Sequence, residues 1–445
     1  MNQVNDTSQV SKTQDMATLW IQQIESLLPI NLDELAKSKG ALIRKRKVKS
    51  ALNLLKLLLI YAVSTMSMRI LSLVAYALGI ADISDKAMSK RFTNSVLWLA
   101  YILDYLLPKP LKQKDMLAMK KTIHLIDGSN VTEAGKEGKV YRIHMSYNLN
   151  ISSMDDIEVT DNHTAESFEH CHIQKNHIYI ADSGYGKAKM YDYIITRNAD
   201  AILRFTPNHI ILTDFKGDRI DMTKKLDTNM PMIDFTCYAQ YGKEKIPARV
   251  IASQLPEDKK AEAIKRKKRK ASKNQSNIQP ETLIYAEWVI IMTSLDESYT
   301  AEEILDIYRS RWQIELLFKR IKQHFKVTKI RPSTLKYGKA LILLWLIIWS
   351  LVEKQAFLAE IYMIEKGMDM SLFSPWANTS FFFQRVRMTI ESLWASLIDT
   401  ETDILIIAKK LQNHKQDRIN QYFHYHLCGF LGVVQKCLFF VDKNS

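Results

Sequence analysis

The chain is short of cysteine, with four in 445 residues, at positions 171, 237, 428 and 437 and without a C-x-x-C pair. A disulfide framework and a thiolate zinc site are thereby excluded, and free buried thiols in a reducing compartment are expected. His424, His426 and Cys428 alternate closely enough to imitate a ligand set. No fourth ligand stands nearby and their neighbours are aromatic, which favours core packing. Glycine and proline are scarce, at 13 and 10 residues, and with 47% apolar and 25% charged residues the composition excludes fibrous architecture and wholesale disorder. Long hydrophobic runs are missing too. The longest strongly apolar stretch free of charge, 340–352, spans 13 residues where a membrane helix needs about 20, so a buried core helix and no membrane partner are expected. The polar start MNQVNDTSQVSKTQD lacks the basic-then-apolar order of a secretory signal, which predicts a cytoplasmic protein.

Acids are in deficit. Lys and Arg total 62 against 48 Asp and Glu, a net charge of +14, which favours a polyanionic partner, nucleic acid or an anionic membrane surface. The length predicts two to four domains at roughly 100 to 200 residues each. Residues 1–118 read as a helical domain. SALNLLKLLLIYAV (50–63) is too long for a typical strand and follows the basic run Arg44, Lys45, Arg46, Lys47 and Lys49. Ile70, Leu71, Val74 and Leu78 recur at helical spacing up to Gly79, and Ser84 stands where an N-cap opens the next helix. Helix, short turn and a helix exposing Lys86, Ser89, Lys90 and Arg91 is the order of a helix-turn-helix DNA reader, although many helical hairpins share it.

From 119 the pattern changes to strands at 121–131, 139–149, 150–160, 177–182 and 200–207, with a short helix at TAESFEH and another at GYGKAKMYDYIITR. The order predicts an α/β mixed sheet with helices on its faces; two unrelated α+β fragments are the alternative. DGSN after the first strand reads as a turn. Residues 207–285 break the rhythm and read as a β-rich insertion, within which the six cations 265–270 read as a solvated loop that can also touch phosphates. A strand returns at 286–295, and T-A-E-E at 300–303 is a capping box opening a long helix. The remaining boundaries are a first core part at 119–206, a second at 286–340 and a C-terminal helical domain at 341–445.

The chemistry concentrates in YTAEEILDIYRSRWQIELLFKRIKQHF (299–325). Tyr308, Arg311, Glu315 and Lys322 fall within one helical stripe, flanked by Trp312, Ile314, Leu316, Leu317, Phe318 and Ile321. Taken alone, the stripe could be a solvated face with an ion pair of about 0.3 to 0.5 kcal/mol, but polar groups embedded among apolar ones need partners. Asp127 and Asp182 close strands in HLIDGSN and IYIADSGYG, where open α/β sheets place their ligand crevice. Two aspartates gathered with Glu315 would repel one another, and divalent metal relieves that repulsion. Oxygen-only ligands favour Mg²⁺ or Mn²⁺, and two such ions about 4 Å apart clamp the oxygens of a phosphodiester displacement.

Y-x2-R-x3-E-x6-K at Tyr308, Arg311, Glu315 and Lys322, with RWQIELLFKRIK, ADSGYGK, LIDGS and LRFTPN, resembles the DDE transposases of bacterial insertion sequences that carry a Y-R-E-K signature, over roughly residues 40–350. The resemblance implies an RNase H-like catalytic core interrupted by a β insertion and flanked by N-terminal and C-terminal helical domains. It implies that Asp127, Asp182 and Glu315 hold two Mg²⁺ ions, which Mn²⁺ can replace. Arg311 and Lys322 would grip phosphates, Tyr308 would add a hydroxyl contact, and Arg204 would lie near the DNA end. Trp288 would stack on a flipped base or, equally, pack the core. Ser183 and Gly128 stand where the family often has Arg and Thr, so DNA contacts at those positions do not transfer. The implied function is cut-and-paste transposition by a homodimer on terminal inverted repeats, with target DNA as the second substrate. A domesticated or inactive DNA-binding relative and a metal-dependent nuclease without strand transfer are the alternatives.

Overall fold

The structure is a computed structural model that describes residues 24–395 apart from 65, 108–120, 134–138, 152, 206–208, 228, 326–328, 331–333 and 369–373. The His424, His426 and Cys428 group lies outside the described residues, while Cys171 and Cys237 are buried free thiols. The chain divides into two compact units, Met1–Arg44 with Lys90–Ile390, and Lys45–Ser89 with Glu391–Ser445.

Helix α1 (Leu32–Ser38) belongs to the larger unit. In the smaller one, α2 (Ala51–Val63) and α3 (Met68–Ala77) start at Ser50 and Ser67, whose hydroxyls accept from the amides of Asn53 at 3.1 Å and Ile70 at 3.3 Å. Each serine thereby satisfies one of the first-turn amides that the helix itself leaves unpaired. α2 buries Leu54, Leu55, Leu57, Leu58, Leu59 and Ile60, as its continuous apolar run requires. Gly79, at φ +64°, follows α3, and the Ser84 hydroxyl accepts from the Ala87 amide at 3.3 Å to open α4 (Asp85–Asn94). Lys86 and Lys90 are exposed there, and Ser89 and Arg91 are half-buried. α5 (Val96–Leu106) follows.

The larger unit is built on a sheet with strand order β3-β2-β1-β4-β5-β9-β8-β7-β6. β1 (Ile123–Glu133), β2 (Lys139–Asn148) and β3 (Ser153–Asp161) form an antiparallel meander. β4 (Ile178–Ala181) and β5 (Asp200–Arg204) add parallel to β1, joined by α6 (Ala188–Ile195). β4 reads as an unbroken apolar run because all of its residues are buried. The DGSN segment is not a turn: β1 runs through it, with Asp127 opposite Met145 and Asn130 opposite Arg142, so cross-strand pairing overrides the local turn preference. TAESFEH yields a single 3₁₀ turn, Phe168–His170.

Residues 207–285 carry strands, and these extend the same sheet. β6 (Ile211–Thr213), β7 (Met232–Tyr241) and β8 (Glu244–Gln254) reach the core through β9 (Trp288–Thr293), which pairs antiparallel with both β5 and β8. The segment also holds α7 (Met222–Leu226), α8 (Glu257–Lys273) and α9 (Pro280–Ala286). The expected basic loop is therefore α8. Glu257 and Asp258 at its start and Lys270 and Lys273 at its end complement the helix dipole, which offsets the repulsion within the run.

α10 (Ala301–Arg309) opens with the expected capping box between Thr300 and Glu303 and gives way to α11 (Trp312–His324). β10 (Lys329–Ile330) pairs parallel with the end of β1. α12 (Leu335–Glu365) is long and apolar enough to cross a membrane, but 67% of its apolar window is buried within the protein, which makes it the core helix the sequence predicts. It is tied to β3 through Glu353, whose carboxylate accepts from the Ser153 hydroxyl at 3.1 Å. α13 (Pro375–Ala395) is the last described helix.

Candidate active site

Two of the acids are placed by strand register. In the parallel β1–β4 pair Ile126 lies opposite Ala181, so the next residues stand on neighbouring strands about 5 Å apart: Asp182 follows the end of β4 as expected, whereas Asp127 does not close its strand, because β1 continues past it paired with β2. Asp127 accepts from the Gly128 amide at 2.8 Å and Asp182 from the Ser183 amide at 2.5 Å. A third carboxylate, Glu166, which the sequence did not single out, comes from the β3–β4 connection. A Cβ on Gly128 would meet its Cγ at 3.1 Å, and one on Gly184 would collide with its Oε2. Glu166 thus presses against both aspartate segments, and glycine at 128 and 184 leaves it room. The sequence clue was DGS and DSG, a glycine within two residues of each aspartate.

Glu315 arrives on α11, which packs against β1. The expected unbroken stripe is interrupted between Tyr308 and Glu315. The Arg311 amide donates to the Tyr308 carbonyl at 3.0 Å and the Ile314 amide to the Arg311 carbonyl at 3.3 Å, a tight three-residue spacing that ends α10 and restarts the helix at Trp312. Arg311 therefore occupies the junction. Its Nη1 donates to Glu315 Oε1 at 2.5 Å, and its guanidinium lies 5.8 Å from the centre of the Tyr308 ring.

Burial pushes the Asp127 carboxyl up to about 6; the Gly128 amide and Arg311 oppose the shift, and Glu166 and Glu315 add to it. Burial disfavours the Arg311 charge, but Tyr308, Glu315 and Asp182 together hold the guanidinium above its usual range. Burial also raises the Tyr308 phenol. The Tyr308 hydroxyl and Arg311 Nε are buried without a hydrogen-bond partner, which marks places for a polar ligand atom. Asp127, Asp182, Glu315 and Glu166 are the oxygen donors that a hard divalent cation selects. Among the described residues, no three acidic, histidine or cysteine side chains form a closed chelate. The donor chemistry fits such a cation, and Arg311 adds positive charge beside Glu315 and Asp182.

A cavity of about 540 Å³ opens beside this cluster, bordered by Asp182, Glu315 and Arg311, and by Arg204, Arg266 and Lys267. Trp288 borders it too, but is only 2% exposed and belongs to the hydrophobic core. Trp312, unremarked in sequence except as an apolar neighbour of the stripe, is 56% exposed and also lines the cavity. Its position directly after Arg311 is the signal that could have found it. Lys322, two helical turns beyond Glu315, is half-buried on α11 and is not part of the cavity lining.

Asp127 within β1 beside Asp182 just after β4, with Tyr308 at the end of α10, Arg311 at the junction and Glu315 on α11, is the arrangement expected of the catalytic domain of a DDE transposase. The chain belongs to that family: the family profile described as Transposase DDE domain matches residues 119–351. The chain is 32% identical over 326 residues to the putative transposase InsL of insertion sequence element IS186A from Escherichia coli strain K12, covering 71% of this chain and 87% of the relative. The transposase of insertion sequence element IS421 from Escherichia coli is 32% identical over 327 residues, with the same coverage. The protein is accordingly a DDE-type transposase of a bacterial insertion sequence, a mobile-element enzyme. Membership carries with it divalent-metal chemistry and the binding of transposon ends.

Proposed function

We propose that this transposase, acting in the cytoplasm, binds the terminal inverted repeats of its own element, hydrolyses the phosphodiester at each end and joins the freed 3′ hydroxyl to target DNA. The observation that carries the reading is the β1–β4 register, which sets Asp127 beside Asp182 where α11 brings Glu315 and Arg311. The strand order β3-β2-β1-β4-β5, antiparallel for three strands and then parallel for two, supports an RNase H-like core. Asp127, Asp182 and Glu315 would hold two Mg²⁺ ions, or Mn²⁺ in their place, with Glu166 close enough to share their charge. When bound, such ions activate the attacking oxygen and neutralise charge developing on phosphorus.

The protein's own groups do the positioning. Arg311, a planar fork already aligned by Glu315, offers its unpaired Nε to a phosphate oxygen, and the buried Tyr308 hydroxyl supplies a second polar contact. Arg204 contributes charge along the cavity, and Lys322 binds DNA further along α11. Trp288 stacks on a displaced base only if it leaves the core. α4 reads the end sequence through Lys86, Ser89, Lys90 and Arg91. A second copy aligns the two ends, a contact for which the exposed Leu358, Tyr362 and Ile364 on the last turns of α12 are suited.

The test combines purified protein and end DNA with Mg²⁺ or with EDTA. Cleavage and joined products are expected with Mg²⁺ alone; Asp182→Asn and Glu315→Gln should abolish both while retaining end binding. Cleavage without joined products would reduce the enzyme to a nuclease, and cleavage in EDTA would remove the metal assignment.

A further inference from the structure

The six consecutive cations 265–270 are sorted by the helix that carries them. At 100° per residue, Arg266, Lys267 and Lys270 share the face of α8 that includes the buried Ala263, whereas Lys265, Lys268 and Arg269 point the opposite way. Ala263, Arg266 and Lys267 border the cavity that also contains Asp182 and Glu315. Nearer the start of the helix, lysines are matched by acids, Lys259 with Glu262 at 3.3 Å and Lys260 with Glu257 at 2.5 Å. No such match exists at the cavity: among the described residues, Arg204, Arg266 and Lys267 have no acidic partner. Burial, together with Lys270, Arg204 and Arg266, lowers the Lys267 ammonium below its usual range, so these cations crowd one another. Unmatched cations crowded around one cavity are costly to hold together unless a polyanion enters it.

We infer that the cavity-facing cations of α8, Arg266 and Lys267, bind the sugar-phosphate backbone of the DNA strand entering the active site, assisted by Arg204, which the β4–β5 register places next to Asp182. The inference deepens the proposed function and rests on it. It assigns α8 of the insertion to the substrate rather than to solvent. Arg266 and Lys267 contact phosphates flanking the cleaved one, while the outward cations only add to the general positive field. A backbone contact of this kind has no base preference, so it strengthens binding to any sequence that α4 admits.

The test uses two double variants of the full chain, each removing two cations from the same run: Arg266→Ala/Lys267→Ala on the cavity face and Lys268→Ala/Arg269→Ala on the outer face. Binding to labelled end DNA is measured between 50 and 300 mM KCl, and cleavage is followed in Mg²⁺. The cavity pair should flatten the slope of log affinity against log salt by about 1.4 to 1.8, the release expected for two lost phosphate contacts. It should also slow cleavage, and Lys267→Arg should keep the wild-type slope. The outer pair should leave the slope and the cleavage rate at wild-type values. Equal effects from both pairs, or an unchanged slope for the cavity pair in a protein whose wild type cuts its ends, overturns the inference and spares the transposase reading. A wild type that neither binds nor cuts its ends overturns both.

Discussion

Replacing Asp127 by asparagine removes a carboxylate that the fold holds against its preference. Its pKa is 3.8 in the ordinary case and about 6 here, raised chiefly by burial. For an acid with a raised folded-state pKa, stability is complete below the unfolded value and is lost as pH climbs through the folded one. About two units at about 1.4 kcal/mol each make a penalty near 3 kcal/mol above pH 6, an upper figure because part of the carboxylate still meets solvent. Asp127→Asn should therefore be more stable than wild type in EDTA by about 2 to 3 kcal/mol at pH 8, shrinking below about 1 kcal/mol at pH 4. Urea unfolding followed by tryptophan fluorescence measures the difference, and added Mg²⁺ should raise the stability of wild type but not of the variant. A variant no more stable than wild type at pH 8, or one whose gain is the same at both pH values, would refute the reasoning.

Glu353, pushed up to about 7 by burial against β3, follows the same sign: stability falls between pH 4.5 and 7. Glu353→Gln should gain about 2 kcal/mol at pH 8 relative to pH 5, read from the same unfolding curves. Arg249 is buried and donates to both Asp234 carboxylate oxygens and to the carbonyls of Asp296, at 2.7 Å, and Tyr299, at 2.8 Å. Arg249→Ala should cost about 3 to 5 kcal/mol, because Asp234 and two carbonyls lose their donor together; a loss below 1 kcal/mol in urea would contradict that role. At Gly338 in α12, a Cβ would run into the Tyr141 ring of β2. Gly338→Ala should lower stability by about 1 to 3 kcal/mol and leave the affinity for end DNA unchanged.

Features that depend on neighbours a few positions away were readable in the sequence. The hydroxyls of Ser84 and Thr300 cap helices as the sequence predicts, and the buried run of β4 announces a central strand. Tyr308, Arg311, Glu315 and Lys322 declared themselves by spacing, though the break at Arg311 did not, because a tight turn leaves composition unchanged. DGSN misled for the complementary reason: its turn preference is local, and its pairing with β2 is not.

The residues themselves pointed to the family and to Asp127, Asp182 and Glu315 as its candidate acids, since these belong to short stretches whose pattern survives without coordinates. Tertiary structure alone decided which groups meet. The β1–β4 register put the aspartates side by side, a loop distant in sequence delivered Glu166 between their glycines, and the pitch of α8 turned Arg266 and Lys267 of a uniform basic run toward the cavity. The physical reason is range: capping, apolar periodicity and motif spacing act over a few residues, whereas repulsion among carboxylates and crowding among cations exist only once chain folding has shortened the distances between them.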